Sequence, residues 1–234
     1  MERIPAQYAL SLFLLLPMTP VLAATDSFDI AITVDDMPVH GPLPRGMSWL
    51  GITETHLKVF KANGVPEAFG FVNASKLAVS SDGEAALEYL YGRGYKVADV
   101  SVAFNDWVYT DAYARCVAKE NAAAIASMKA EYLAGVDSAI SRMKADSRQV
   151  FGRVIPQVLL THLGGWSAIT LPDVMARLNA AGARYVTLRE AQSDPAYSAP
   201  GGGSVISRAA RLKGIQLPVS EPAATPLEVG KLCR

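Results

Sequence analysis

Short apolar runs recur along the chain, and longer stretches with amphipathic spacing separate them. The runs are rich in Val, Ile, Leu and Phe, and they predict strands at residues 28–34, 67–74, 95–104, 156–164 and 184–188. Helical spacing with stop signals predicts helices at 52–64, 82–94, about 111–150 with a break near 119–121, and 171–182 with Pro172 in its first turn. This alternation is typical of βαβ units, so we predict an α/β fold with a parallel sheet.

The number of strands limits the architecture that this sheet can adopt. A closed (β/α)₈ barrel needs about eight strands and usually about 250 residues. The pattern predicts fewer strands in a chain of 234 residues. Three alternatives stay open: an open sheet, an incomplete or distorted barrel, or strands that the pattern does not show.

The two ends of the chain differ from its middle. Arg3, the apolar run 8–16 and the small residues before Ala24 match a secretory signal peptide at 1–23, and an uncleaved N-terminal anchor is the alternative. We expect an exported protein, periplasmic or secreted, with no membrane span after cleavage. Residues 24–195 would form the α/β domain. The pattern dissolves near Ser193, which predicts a loop and a loose C-terminal tail over 196–234.

Charge and cysteine content narrow the classes of partner. The formal net charge is zero, which gives no indication of a nucleic-acid or anionic-membrane partner. The cysteines, Cys116 and Cys233, lie far apart and match no metal-binding spacing. Export permits a disulfide, but the sequence leaves their pairing open.

Polar residues stand at the ends of three predicted strands. Asp35 and Asp36 end the first strand, Asp106 follows the third, and His162 ends the fourth. The carboxyl ends of parallel strands share one edge of the sheet, so these residues are expected to converge on a site. Strand neighbours point to opposite faces, so Asp35 and Asp36 can share it only where the chain leaves strand geometry.

Each of these residues also has a purely structural interpretation. Adjacent aspartates before a proline form turns, a histidine after an apolar run is often buried in a core, and Asp106 would cap the turn before Trp107. His40 is expected to be a solvated loop residue rather than a ligand contact. His56 is expected to face solvent from the first helix. Exposed tryptophans would stack on sugar rings, but packing in the core or at the rim is the commoner role for each candidate, Trp49, Trp107 and Trp166.

Three segments together resemble the polysaccharide deacetylase family, carbohydrate esterase family four. They are "ITVDDMPVHG", "FGFVNASK" and "IPQVLLTHLG", and the resemblance covers most of residues 28–195. It implies a distorted (β/α) barrel that removes acetyl groups from chitin-like or peptidoglycan sugars with a divalent metal, often zinc. The expected partner is therefore an acetylated polysaccharide or a peptidoglycan-type glycan.

The resemblance also implies roles for single residues. Asp35 matches the catalytic base, Asp36 a metal ligand and His162 the general acid, and Asp106 would orient or tune His162. The family's His-x-x-x-His motif, which supplies two further metal ligands, has no counterpart between His56 and His162, and most of the segment that follows it is missing too. A catalytic metal needs about three protein ligands. We therefore expect little zinc binding and an impaired or inactive deacetylase, the alternative being a non-catalytic glycan-binding protein or a defective relic.

Overall fold

The computed structural model of the chain describes residues 27–70, 98–199, 203–218 and 226–234. Its strands are β1 Phe28–His40, β2 Ala68–Gly70, β3 Val102–Ala103, β4 Gln157–Gly164 and β5 Ala183–Tyr185. Its α-helices are α1 Trp49–Ala62, α2 Thr110–Ala118, α3 Ala122–Phe151, α4 Gly165–Ala180, α5 Leu188–Gln192, α6 Val205–Leu212 and α7 Pro226–Lys231. Two short 3₁₀ helices span Asp106–Tyr109 and Pro195–Tyr197.

The strands form one parallel sheet, as the alternation of strands and helices predicts. Its order is β2-β1-β4-β3, and β5 pairs with the first residues of β1. All four pairings are parallel. The architecture is therefore α/β, and the carboxyl ends of β1, β3 and β4 lie at one edge of the sheet.

The core covers both faces of the central strands. In β1, Ile30, Ile32 and Val34 belong to the large core cluster, while Ala31 belongs to a smaller one with Val158 of β4. This alternation follows the two-residue repeat of a strand. Burial on both faces explains why the strand reads as a continuous apolar run.

Helix α1 begins earlier than its apolar pattern indicates and turns an unexpected residue inward. Ser48 caps its first turn by accepting a hydrogen bond from the amide of Gly51. Ile52, His56 and Phe60 follow at four-residue intervals and are buried. His56 is 2% exposed, so the expectation that it faces solvent is wrong. The i, i+4 and i+8 spacing places it on the core side of the helix.

The long helical region breaks where the sequence predicts. Helix α2 ends at Ala118, and α3 starts after Asn121, whose side chain accepts a hydrogen bond from the amide of Ala124. Gly152, with φ of 72°, ends α3 in the left-handed conformation that favours glycine. Among the described residues, no helix combines the length and the apolar character needed to cross a membrane.

Helix α4 begins directly after β4, so the predicted start near residue 171 is wrong. Gly164 is its N-cap, and Pro172 lies in its interior rather than in its first turn. Trp166 lies in the first turn and is fully buried against Tyr109, Tyr113 and Tyr132. Trp166 therefore packs in the core and is not a sugar-stacking residue, and packing of this ring draws the first turn of the helix into the core.

Several predicted boundaries change in the structure. The third strand is confined to Val102–Ala103 among the described residues. The fifth ends at Tyr185, because Thr187 caps α5 in a reciprocal arrangement with Glu190. The predicted helix at 82–94, the end of the second predicted strand and the signal peptide lie outside the described residues.

The C-terminal residues are anchored, which corrects the expectation of a loose tail over 226–234. Cys233 forms a disulfide with Cys116 of α2. Val229 of α7 is 2% exposed and belongs to the large core cluster. Arg115 donates hydrogen bonds to the carbonyls of Gly230 and Leu232. These bonds secure the C-terminal segment against α2, and α7 also packs against the 3₁₀ helix that begins at Asp106. Helix α6 likewise lies within the segment expected to be loop.

Candidate functional site

The ends of β1 and β4 place two of the predicted site residues side by side. Asp35 is the ladder partner of His162 in the parallel pairing of the two strands. Both side chains are only partly exposed. A carboxylate and an imidazole thus meet at the edge of the sheet where ligands of parallel α/β folds bind.

The chain leaves regular strand geometry at Asp36, which is the condition for two adjacent aspartates to serve one site. Asp36 has φ of 64°, and the β1–β4 register shifts between Asp35 and His40 before pairing resumes at Gly164. Asparagine and aspartate tolerate this left-handed conformation better than other residues with a side chain. The site therefore rests on a local backbone distortion that strand periodicity alone does not predict.

Asp36 and His40 form a side-chain hydrogen bond across this distortion. His40 Nδ1 lies 2.5 Å from Asp36 Oδ2. The His40 side chain is 27% exposed, and its ring centroid lies 5.2 Å from that of His162. The expectation that His40 is a solvated loop residue is therefore wrong: it is the last residue of β1 and lies beside the site.

Asp106 reaches the same place from β3. Asn105 before it has φ of 55°, which turns the chain sharply out of the strand. Asp106 is 3% exposed, and its carboxylate accepts hydrogen bonds from three groups. Oδ1 lies 2.8 Å from His162 Nδ1, while Oδ2 accepts from the amide of His162 and from the hydroxyl of Thr161, each at 2.8 Å.

Burial and neighbouring charges shift the pKa values of the facing pair. Burial raises the pKa of Asp35; the charge of His162 opposes this effect, and nearby carboxylates add to it, so the net shift is upward. Burial lowers the pKa of His162, but its hydrogen bond to Asp106 and the charges of three carboxylates outweigh burial and raise the pKa above its ordinary value. Asp35 is thus a stronger base than a solvated carboxylate, and His162 holds its proton to higher pH.

A second set of hydrogen bonds holds the turn after His162. The hydroxyl of Ser167 donates to the carbonyl of His162 at 2.5 Å and accepts from the amide of Gly164 at 3.0 Å. His56 Nε2 lies 3.2 Å from the same hydroxyl oxygen. Sequence reasoning missed Ser167 and Thr161 and misplaced His56. The core-facing spacing of His56, and a serine three residues after the N-cap Gly164, are the signals that point to His56 and Ser167.

Glycines let the loop after β1 approach the start of α4. A Cβ atom on Gly165 would lie 2.6 Å from Pro44 Cγ, so no larger residue fits there without movement.

The exposed fractions of Trp49 and Trp107 are 55% and 45%. Trp107 follows Asp106 directly in the chain, so one exposed indole belongs to the same turn as a site residue.

The donor set does not fit the metal centre that the family resemblance implies. Among the described residues, no three His, Cys, Asp or Glu side chains are grouped as a metal ion would require. The chain has three histidines. His56 is buried on the core side of α1, where it contacts Ser167, so it does not join the acidic and histidine side chains at the strand ends. The described residues therefore do not present the three converging protein ligands of a catalytic zinc site.

Comparisons with protein families, with curated proteins and with solved structures find no match to this chain.

Proposed function

We propose that the chain is a hydrolase of polysaccharide deacetylase ancestry that acts on acetylated sugars through Asp35 and His162 without a metal centre. The observation that carries this proposal is the Asp106-anchored His162 in ladder register with Asp35. The sequence resemblance supplies the reaction class and the substrate class. We propose further that the parallel sheet is an incomplete (β/α) barrel of the deacetylase type and that the protein is exported.

The proposed reaction divides proton transfer between the two facing groups. Asp35 takes a proton from a water molecule as that water attacks the acetyl carbonyl carbon, forming a C–O bond. His162 then donates a proton from Nε2 to the departing amine or alcohol as the C–N or C–O bond to the acetyl group breaks. Acetate and the free sugar group are the products. Asp106 engages Nδ1 and so leaves Nε2 as the donor.

This chemistry predicts slow turnover. A positioned acid and base contribute about 10²-fold to 10⁴-fold in rate. The proposed site works without a metal ion that would stabilise the oxyanion. Such electrostatic stabilisation is usually the largest single contribution to acyl-transfer catalysis. Asp35 and His162 by themselves would therefore give a rate enhancement within this modest range.

Acetate release from N-acetylglucosamine oligomers tests the proposal. Asp35→Asn and His162→Gln should each reduce the rate to that of the buffer. Asp29→Asn, which changes a carboxylate at the other end of β1, is the matched control and should leave the rate unchanged. Equal rates for the wild type, Asp35→Asn and His162→Gln would contradict the proposal.

The exposed tryptophans favour one second candidate, glycan binding without hydrolysis. Trp49 and Trp107 present apolar ring surface of the kind that stacks on sugar rings. In this case, an acetylated glycan would change the intrinsic fluorescence without releasing acetate. Trp107→Ala should remove the change, whereas Leu212→Ala, which alters an exposed residue on α6, should keep it. A fluorescence that does not respond to glycan would exclude this candidate.

A further inference from the structure

We infer that Ser167 is a positioning residue for His162: its single hydroxyl fixes the backbone turn that carries the imidazole to Asp35. The inference rests on the proposed function for the part that His162 plays as the acid. The placement of His162 by Ser167 is a property of the fold and can be measured without turnover.

The geometry of the turn supports this role. His162 is close to the end of β4, and α4 starts at Gly165, so only two residues separate the imidazole-bearing residue from the helix. Gly164 has no side chain, and the side chain of Leu163 has no polar group that could hold the turn by a hydrogen bond. The hydroxyl of Ser167 does so, since it accepts from the Gly164 amide and donates to the His162 carbonyl.

The hydroxyl has one proton, and three groups compete for it. The His162 carbonyl lies at 2.5 Å and the Gly164 carbonyl at 3.0 Å. His56 Nε2 lies at 3.2 Å. His56 Nδ1 lies 2.9 Å from the Ile52 carbonyl, which can only accept, so Nδ1 carries the proton and a neutral ring offers Nε2 as an acceptor. The shortest contact assigns the hydroxyl proton to His162.

His162 is therefore held from two directions. Asp106 secures its amide and ring Nδ1 from the β3 side, and Ser167 secures its carbonyl from α4. Ser167 is 4% exposed, so water does not replace the bond readily when the hydroxyl is removed. Loss of the hydroxyl would let the peptide after His162 rotate, and the ring would shift relative to both Asp106 and Asp35.

A second buried serine provides a matched control. Ser147 of α3 is 0% exposed, accepts a hydrogen bond from the Ile155 amide and donates to the Arg153 carbonyl. It braces the segment before β4 much as Ser167 braces the turn after it. Ser147→Ala thus reproduces the loss of a buried hydroxyl at the far end of the same strand.

The test compares the Nδ1 proton of His162, observed by NMR in histidine-labelled full-length protein, with steady-state acetate release. Ser167→Ala should move or broaden this hydrogen-bonded resonance and lower kcat about 10-fold with KM unchanged, since misplacement of a reacting group costs rate rather than binding. Ser147→Ala should change neither. Ser167→Thr, which keeps a hydroxyl, should restore the resonance.

Two outcomes would overturn the inference. In the first, the His162 Nδ1 resonance of Ser167→Ala coincides with that of the wild type. In the second, Ser147→Ala shifts this resonance as much as Ser167→Ala does. Should Ser167→Ala fail to fold, Ser167→Cys keeps the side-chain volume with a weaker donor and should give an intermediate shift. A wild type that releases no acetate would contradict the proposed function alone, because the NMR comparison would still decide the placement of His162.

Discussion

Asp106 holds both the backbone and the ring of His162. One carboxylate oxygen lies 2.8 Å from the ring Nδ1, and the other accepts from the His162 amide at 2.8 Å. The contact fixes the orientation of the imidazole and identifies Nε2 as the nitrogen that faces away from Asp106. A disturbance of Asp106 must therefore change the position of His162 and its affinity for a proton together.

Replacement of Asp106 by asparagine should lower the pKa of His162. Burial lowers the pKa of His162, because it favours the neutral ring. The hydrogen bond and the charge of Asp106 are the main factors that raise this pKa. An NMR titration of the histidine ring protons in the wild type and in Asp106→Asn measures the change. Asp29→Asn, at the opposite end of β1, should leave the titration unaltered. An unchanged pKa in Asp106→Asn would show that Asp106 does not control the protonation of His162.

Backbone strain at Asp36 should be visible in a pair of variants. Glycine adopts positive φ freely, whereas alanine held there costs about 1–2 kcal/mol. Both variants remove the carboxylate, so Asp36→Gly should be about 1 kcal/mol more stable than Asp36→Ala in urea unfolding. Asp29 does not have a positive φ. At this position the alanine variant should be the more stable one, because glycine weakens a regular strand. The same order at both positions would contradict the distortion.

His56 should make the fold sensitive to mild acid. Burial lowers the pKa of His56, although its hydrogen bond to the Ile52 carbonyl opposes this effect. The unfolded chain, with an ordinary pKa of about 6.5, then binds a proton more readily than the folded chain. The contribution of His56 to stability is complete above pH of about 6.5 and is lost as pH falls through the folded pKa.

Urea unfolding of the wild type and of His56→Gln between about pH 7 and about pH 5 measures this contribution. The wild type should lose more stability than the variant, by at most about 1.4 kcal/mol per pH unit. Comparison of the two proteins cancels the titration of the carboxylates that they share. Parallel pH dependence in both would mean that His56 is protonated equally in the folded and the unfolded chain.

The disulfide should stabilise the fold through the C-terminal segment. It joins residues 117 positions apart, and closure of a loop of this size is worth about 2–5 kcal/mol. Cys233→Ala should lower the free energy of guanidinium unfolding by this amount, and reductant should lower that of the wild type equally. Reductant should not affect the variant. Equal stability of the oxidised and reduced wild type would contradict a contribution from the bond.

The sequence predicts the part of the site that follows from strand order. Asp35, Asp106 and His162 each end or follow a strand, and a parallel sheet brings such ends to one edge. The distortion at Asp36 and the turn at Asn105 depend on tertiary contacts, so local patterns do not reveal them. The expectation that His40 is a solvated loop residue fails for the same reason, because its contact with Asp36 exists only once the distortion forms.

The fold was predictable in its regular elements and not in its boundaries. The glycine pair before Trp166 looks like a loop, yet it starts a helix, because burial of the indole and the hydroxyl of Ser167 stabilise the first turn. The C-terminal residues look like a tail because their order depends on a disulfide to Cys116, a residue distant in sequence. Cysteine spacing permits such a bond but does not specify it.

Acetate release by protein freed of metal with a chelator tests the central claim most directly. A site that works through Asp35 and His162 without a metal centre should release acetate from N-acetylglucosamine oligomers at the same rate before and after chelation. Added zinc should not raise that rate, because the described residues do not present the three grouped protein ligands that a catalytic zinc requires. Activity that disappears on chelation and returns with zinc would contradict the claim.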